Sequence, residues 1–138
     1  MQVRNAALVI IDMQKGMADP AAGTRNNPDA EQNIAALLQA WRTAGSTVVH
    51  VRHISRTVGS PFWPGQPGAE FQELFAPVPH ACVMEKNVPA CFAFAKADYA
   101  GTPRSAEDVH AMALSNLDGE YAAIVRTGDV LDAFAGVA

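Results

Sequence analysis

The feature that most constrains the fold is an apolar run near the start of the chain that ends abruptly at a charged residue. Residues 6–11 read Ala-Ala-Leu-Val-Ile-Ile, and Asp12 follows directly. A strand that is apolar at every position is typical of a parallel sheet whose two faces are both covered. The run therefore predicts a first strand that is buried on both faces, with Asp12 just beyond its carboxyl end.

The residues that follow predict a helix and a second strand. Asn27 suits the N-cap of the helix, Pro28 its first position and Gly45 its stop. An apolar stripe recurs at helical spacing between them, at Ile34, Leu37, Leu38 and Trp41. The β-branched stretch from Thr47 to Val51 predicts the second strand. Together these elements indicate a βαβ unit, which implies parallel pairing.

The remaining elements extend this pattern into one α/β domain over residues 1–138. A third strand is predicted from Ala81 to Met84, ending near Lys86. Ser105 and Asp108 resemble a capping box at the start of a helix. A last strand is predicted over residues 121–125 and a last helix over residues 127–134. The fold class is an open, mostly parallel, Rossmann-like α/β sheet, in which ligands bind beyond the carboxyl ends of the strands.

Two charged residues fall at that edge of the sheet. Asp12 follows the first strand, where a carboxylate is partly removed from water and is suited to proton transfer. It could equally begin a polar loop. Lys86 follows the third strand, where it could pair with Asp12 or stabilise a thiolate, although a lysine there could also be simply solvated.

A Gly- and Pro-rich stretch from His53 to Pro79 predicts a long loop, a kind of segment that often carries function. Phe62 and Trp63 within it could line a pocket or meet another subunit. His50 and His53 are three residues apart on a strand and should point to opposite faces, which makes them poor joint metal ligands. No Cys/His spacing matches a zinc site, so we expect neither a metal nor a cofactor.

The chain has two cysteines, and neither belongs to a CxxC pair. Cys91 lies five residues after Lys86, so that its thiolate could be stabilised by the ammonium group, but it could also be a small, half-buried apolar residue. Cys82 falls within the predicted third strand and is expected in the core.

Composition excludes several classes of protein. Hydrophobic residues make up 49% of the 138 residues and charged residues 17%, which favours a folded core over disorder. The net charge is −4 and no stretch is dense in Lys or Arg, so nucleic acid is not expected as a partner. The longest early apolar run is too short for a membrane span or a signal peptide, which predicts a cytoplasmic protein with no membrane contact.

Three segments together resemble the isochorismatase-like cysteine hydrolases. The first, ALVIIDMQKGM, is similar to the family's opening strand and catalytic Asp. The second runs from VVHVRHIS to HACVMEKNVPACF and is similar to its second strand, aromatic substrate loop and catalytic Lys. The third, RSAEDVHAMALSNLDGEYAAIVRTGDVLDAF, is similar to its C-terminal helix, strand and helix.

The resemblance implies a mechanism and roles for particular residues. In that family a Cys attacks an amide or related carbonyl carbon, an Asp takes the thiol proton, and a Lys supports the thiolate. Asp12 and Lys86 match the Asp and the Lys. The pocket residues expected from the match are Gln14, His53, Phe62 and Trp63. A small-molecule substrate and a homo-oligomer are implied as well.

One departure from the family pattern affects the nucleophile. Between the Lys segment and the C-terminal helix the family has a helix, a strand and a turn that carries the Cys, a unit of about 30 residues or more. Here KNVPACFAF continues almost directly into AKADYAGTPRSAEDVH, which indicates an internal deletion near residues 92–100 and fewer strands than usual. Two hypotheses stay open: a hydrolase of impaired activity, with Cys91 as a weak candidate nucleophile, or a non-catalytic relative, which would be a binding or assembly module or a shortened pseudoenzyme.

Overall fold

The computed structural model describes residue 3 and residues 5–87 and 94–136. Its helices are α1 (Ala30–Thr43), α2 (Ala106–Leu117) and α3 (Thr127–Ala135). The strands of the main sheet are β1 (Leu8–Ile11), β2 (Val48–His53) and β3 (Cys82–Lys86). A short hairpin pairs β4 (Lys96–Ala97) with β5 (Pro103–Arg104).

The main sheet is parallel and has the order β1-β2-β3. Ile10 pairs with His50, and His50 in turn pairs with Val83. The predicted βαβ unit and the predicted third strand are confirmed. Because all three strands run in the same direction, their carboxyl ends meet at one edge of the sheet, where Asp12 and Lys86 lie.

The core lies between this sheet and α1. Ile10, Met13, Leu38 and Phe75 form a buried cluster, and Phe75 is fully enclosed. Trp41 is also buried, and its indole N–H donates to the Ala6 carbonyl at 3.0 Å. The apolar stripe predicted for the helix is therefore what attaches α1 to the sheet.

The prediction that the first strand is buried on both faces is wrong. Val9 and Ile11 point away from the side chains that meet α1, and they are 51% and 49% exposed. Met84, which shares their face of the sheet, is 57% exposed. Cys82 lies on this face too and is exposed, although it was expected in the core. In the described part of the chain this face of the sheet remains largely open.

The start of α1 also differs from the prediction. The helix begins at Ala30 with Asp29 before it, and Asn27 is not the N-cap. Asn27 adopts a left-handed backbone (φ 53°), whereas an N-cap residue usually has an extended one. Its carbonyl accepts a hydrogen bond from the Ala30 N–H at 3.0 Å, so Asn27 forms a turn ahead of the helix. Gly45, with φ 64°, follows the end of the helix as expected.

The C-terminal elements are helices without the predicted strand between them. Ser105 and Asp108 form the expected capping box of α2. Residues 121–125 form no strand: Tyr121 and Val125 are 78% and 48% exposed, and one bridge between Asp118 and Ala122 is all the pairing described there. A strand needs a neighbour for its backbone hydrogen bonds, and this segment has none among the described residues.

Candidate active site

The site begins with an ion pair between the first and the third strand. The Nζ atom of Lys86 lies 2.7 Å from Oδ2 of Asp12. Strands in a sheet are about 4.8 Å apart, so the two side chains together bridge roughly 10 Å between β1 and β3, over the carboxyl end of β2. The spacing of these residues in the sequence did not establish this contact, which the parallel order of the three strands produces.

The backbone of Asp12 is held in an uncommon conformation. Its φ of 61° lies in the left-handed region, which Asp tolerates better than most residues. Its N–H donates to the Val51 carbonyl at 2.9 Å, and its carbonyl accepts from the Gln14 N–H at 2.8 Å. These two hydrogen bonds end the strand at Asp12. They also fix the backbone position from which its carboxylate side chain projects.

The ion pair is largely buried, but one oxygen of its carboxylate has no hydrogen-bond partner among the described residues. The side chains of Asp12 and Lys86 are 7% and 16% exposed. Coulombic attraction between charges is stronger at such a position than at an open surface. Oδ1 of Asp12 is buried and has no hydrogen-bond partner among the described residues. One carboxylate oxygen is thus held by the ammonium group, while the other can still accept a proton or a donor group.

Gln14 joins the two loops that flank this pair. Its amide nitrogen donates to the carbonyls of His53 and Ala69 at 2.9 and 2.8 Å, and its Oε1 accepts from the His53 N–H at 2.7 Å. The side chain has no exposed surface. Gln14 was predicted to line the pocket, and its contacts instead support a role in positioning the loop that follows β2. The pocket prediction itself stays untested.

The aromatic residues of the long loop lie in two different environments. The Phe62 ring meets the His53 ring edge to face, with centroids 5.7 Å apart, and covers Gly16 so closely that a Cβ there would lie 2.8 Å from it. Phe62 therefore packs inside the loop. Trp63 instead forms part of the wall of an open cleft beside Lys86.

This cleft has a volume of about 510 Å³, within the range of small-molecule sites. Its lining combines residues just past the end of β2, residues at and just past the end of β3, and two aromatic or proline residues further along the long loop. They are Ile54, Ser55, Arg56, Trp63, Pro64, Glu85, Lys86 and Asn87. Asp12 is not among them, whereas its partner Lys86 is. A ligand in the cleft would therefore meet the lysine first.

Comparison with known proteins now decides the family. The model of the isochorismatase domain matches residues 6–102, well over half of the chain and including both members of the ion pair. The chain belongs to the isochorismatase family. The protein in the solved structure from Chromobacterium violaceum ATCC 12472, also of the isochorismatase family, is 31% identical, with a TM-score of 0.87 that covers 99% of this chain and 96% of that one.

Curated isochorismatase-family relatives match a shorter part of the chain. YrdC of Bacillus subtilis (strain 168), described as uncharacterized, is 37% identical over 86 residues, which cover 62% of this chain and 46% of YrdC. YddQ of the same organism, also described as uncharacterized, is 34% identical over 88 residues, with 62% and 49% covered. The chain thus spans about half the length of the curated relatives it matches.

The two cysteines are the candidates for the nucleophilic thiol of an isochorismatase-type mechanism. Cys91, the weak candidate, lies outside the described residues. Cys82 is exposed on β3, four residues before Lys86, which at about 3.3 Å per residue places it roughly 13 Å from the ion pair along the strand. Cys82 therefore cannot attack a carbonyl held at the pair.

Two cleft residues were not found by sequence reasoning. Arg56 lies three residues past the end of β2, and Asn87 directly follows β3. The rule that led to Asp12 and Lys86, a polar residue just beyond a strand's carboxyl end, also applies to both. Arg56 was overlooked because the second strand was predicted to end at Val51 rather than at His53.

Within residues 5–87 and 94–136, His, Cys, Asp and Glu side chains form no group of three that could hold a metal ion. None of the helices in that same part of the chain is long and apolar enough to cross a membrane.

Proposed function

We propose that this isochorismatase-family domain is a hydrolase of small amides or related carbonyl compounds, with Asp12 as its acid/base and with turnover that is low or absent. The single observation that carries the proposal is the buried contact of 2.7 Å between Asp12 and Lys86, which lines the cleft. It joins the two residues that the family resemblance assigns to proton transfer.

The geometry of the pair suits the chemistry proposed for it. Lys86 donates a hydrogen bond to Oδ2, while Oδ1 is left to take a proton from a thiol or a water molecule. When the tetrahedral intermediate collapses, the same oxygen can return that proton to the departing amine. Proton transfer of this kind contributes about 100-fold to 10,000-fold to a rate.

The nucleophile is the reason for proposing low turnover. The family mechanism requires a thiolate that attacks the carbonyl carbon. Cys82 is too distant, which leaves Cys91 as the thiol that could serve. An acid-catalysed route that needs only Asp12, such as protonation of a vinyl ether, is the chemistry that remains open without any thiol.

The position of Cys82 also favours a second candidate, a non-catalytic binding module. Among the described residues the cleft lining includes Lys86, one member of the ion pair, and the aromatic ring of Trp63, but no thiol. A domain of this kind would bind a small molecule and release it unchanged. Homo-oligomer formation and a cytoplasmic location are part of the proposal in either case.

The test is release of ammonia from a panel of small primary amides, measured with wild-type protein and with Asp12→Asn and Cys91→Ser. Cys82→Ser is the matched control for the thiol. We expect slow release that Asp12→Asn reduces by about 100-fold or more. Release that is unaffected by Asp12→Asn would overturn the assignment of Asp12, and absence of release from every amide would favour the binding module.

A second readout separates loss of chemistry from loss of folding. Asp12→Asn removes the carboxylate partner of a largely buried ammonium group, which can destabilise the domain by several kcal/mol, about 3–5 in measured cases. The double variant Asp12→Asn/Lys86→Gln removes both charges, so it should fold better than the single variant and remain inactive. Alkylation by iodoacetamide adds a measure of the thiols: Cys91 should react faster than Cys82, and Asp12→Asn should slow it.

A further inference from the structure

We infer that the cleft selects a small, flat molecule that carries a carboxylate, with Arg56 holding the carboxylate and Trp63 lying against the flat part. The inference rests on the proposed function, since it names the class of substrate for the same cleft. It draws on Arg56, to which neither the sequence motifs nor the family match assign a role, together with Trp63, which the family match predicts to line the pocket.

The charges around the cleft leave one cation in excess. Lys86 is neutralised by Asp12, and Glu85 is paired with the Arg52 guanidinium. Arg56 has no carboxylate partner among the described residues. The local field of the cleft is therefore positive and favours an anion, even though the whole chain has a net charge of −4.

Asn87 orients the guanidinium group of Arg56 and leaves some of its N–H donors available. With its amide oxygen turned towards the guanidinium, Asn87 accepts from Nε at 3.2 Å and from Nη2 at 2.5 Å. A guanidinium has five N–H donors, so three are left for a ligand. Asn87 is neutral and leaves the positive charge of Arg56 intact. A carboxylate is the group that matches the planar guanidinium best, because it can accept two parallel hydrogen bonds.

The rest of the lining indicates a flat partner for that carboxylate. Trp63 is half-buried in the cleft wall, with Ile54 and Pro64 as apolar neighbours in the lining. An indole ring stacks well against another ring. Arg56 and Lys86 follow adjacent strands at the same edge of the sheet, so a ligand held by Arg56 extends towards the Asp12–Lys86 pair. The substrate class is thus a cyclic or aromatic carboxylate that carries the reacting amide.

Binding of benzoate and benzamide, measured by isothermal titration at low ionic strength, tests the inference. The two probes match in size and shape and differ in charge. Wild-type protein should bind benzoate about tenfold tighter than benzamide, because hydrogen bonds between ionised groups are roughly twice as strong as neutral ones. Arg56→Met should bring the two affinities within about twofold, whereas the matched control Arg126→Met should retain the difference.

Two further variants locate the probe within the cleft. Trp63→Ala should weaken both probes by about tenfold without changing their ratio, because stacking does not depend on the charge of the ligand. The double variant Asp12→Asn/Lys86→Gln should keep the preference for benzoate. If that preference disappears in the double variant and survives in Arg56→Met, the carboxylate binds Lys86 and the inference is wrong.

The outcome is independent of turnover. If neither probe saturates the protein at millimolar concentration, or if Arg56→Met keeps the wild-type ratio, the substrate class is wrong while Asp12-dependent hydrolysis can still hold. If no amide is hydrolysed but benzoate binds through Arg56, the proposed hydrolysis fails and the cleft remains a site for small carboxylates.

Discussion

The two described parts of the chain, residues 5–87 and residues 94–136, differ in how completely they bury their apolar side chains. The first part contains the core cluster and the buried polar residues of the site. In the second part Ala106 is the one residue that falls in the buried class. Large apolar side chains there remain exposed, namely Tyr99, Met112, Tyr121, Ile124 and Val125. The candidate site thus lies entirely in the well-packed part.

The contacts between the two parts explain this difference. The second part reaches the first through α3, where the Phe134 ring lies 4.4 Å from the Trp41 ring of α1. A bridge between Arg25 and Phe94 adds a connection near the start of the second part. These contacts involve α1 and the loop before it. They do not cover the open face of the sheet, on which Val9 and Ile11 lie. Secondary structure can therefore form in the second part without the burial that normally stabilises it.

The largest expected effect comes from removing one ring in each part. Phe75→Ala empties a fully buried position and should lower the free energy of unfolding by about 3–5 kcal/mol. Tyr121→Ala removes a ring that is 78% exposed and should change it by less than about 0.5 kcal/mol. Urea denaturation followed by circular dichroism measures both.

Similar losses in these two variants would contradict the comparison. A large loss for Tyr121→Ala would mean that its ring is covered in solution, for example by a second copy of the chain. Denaturation at two protein concentrations distinguishes that case, because the stability of an oligomer depends on concentration.

A matched pair of glycines should give effects of opposite sign. A Cβ on Gly68 would lie 2.4 Å from the Pro61 carbonyl oxygen, so Gly68→Ala forces the long loop apart and should cost about 1–3 kcal/mol. Gly128, in α3, has no atom within 4 Å of such a Cβ, so Gly128→Ala should stabilise by about 0.5 kcal/mol. Thermal unfolding of the two variants provides the measurement.

The same pair links packing to the site. Gly68 belongs to the loop that Gln14 anchors and that carries Trp63, so Gly68→Ala should also weaken benzoate binding. Gly128→Ala should leave binding unchanged. If Gly68→Ala is destabilising but binds benzoate as tightly as wild type, the position of Trp63 does not depend on this close contact.

Local sequence patterns predicted the first part well, because its signals and its contacts agree. The apolar stripe of α1 buries Leu38 and Trp41, as its spacing marks, and the apolar run of β1 buries Ile10 on the face that meets α1. Asp12 and Lys86 were found because one topological rule places both at the same edge of the sheet. Their contact and the covered position of Gln14 depend on loop geometry, which no local pattern contains.

Sequence patterns failed where an element lacks its expected partner. The alternative faces of β1 look equally apolar in the sequence, but α1 covers only one of them. The segment 121–125 has the composition of a strand, yet a strand forms only beside another strand. A pattern shows what a segment could bury and cannot show whether the covering element is present.

The smallest expected effect concerns two histidines, one in each part. His50 is 1% exposed, and its Nδ1 has no hydrogen-bond partner among the described residues. Burial, together with the nearby charge of Arg42, lowers the pKa of His50 below its ordinary value. Protonation of His50 is therefore less favourable in the folded state than in the unfolded chain. The contribution of His50 to the free energy of unfolding is retained above a pH of about 6.5 and falls as the pH drops below that value.

Replacing each histidine in turn isolates this contribution. His50→Gln should flatten the decline in the free energy of unfolding between about pH 7.5 and pH 5, because the group that resists protonation has gone. His110→Gln, in α2, should leave the decline as in wild type. Denaturation curves across this pH range measure both variants. An unchanged decline in His50→Gln would place the acid sensitivity elsewhere and would show that the buried imidazole of the first part titrates like an exposed one.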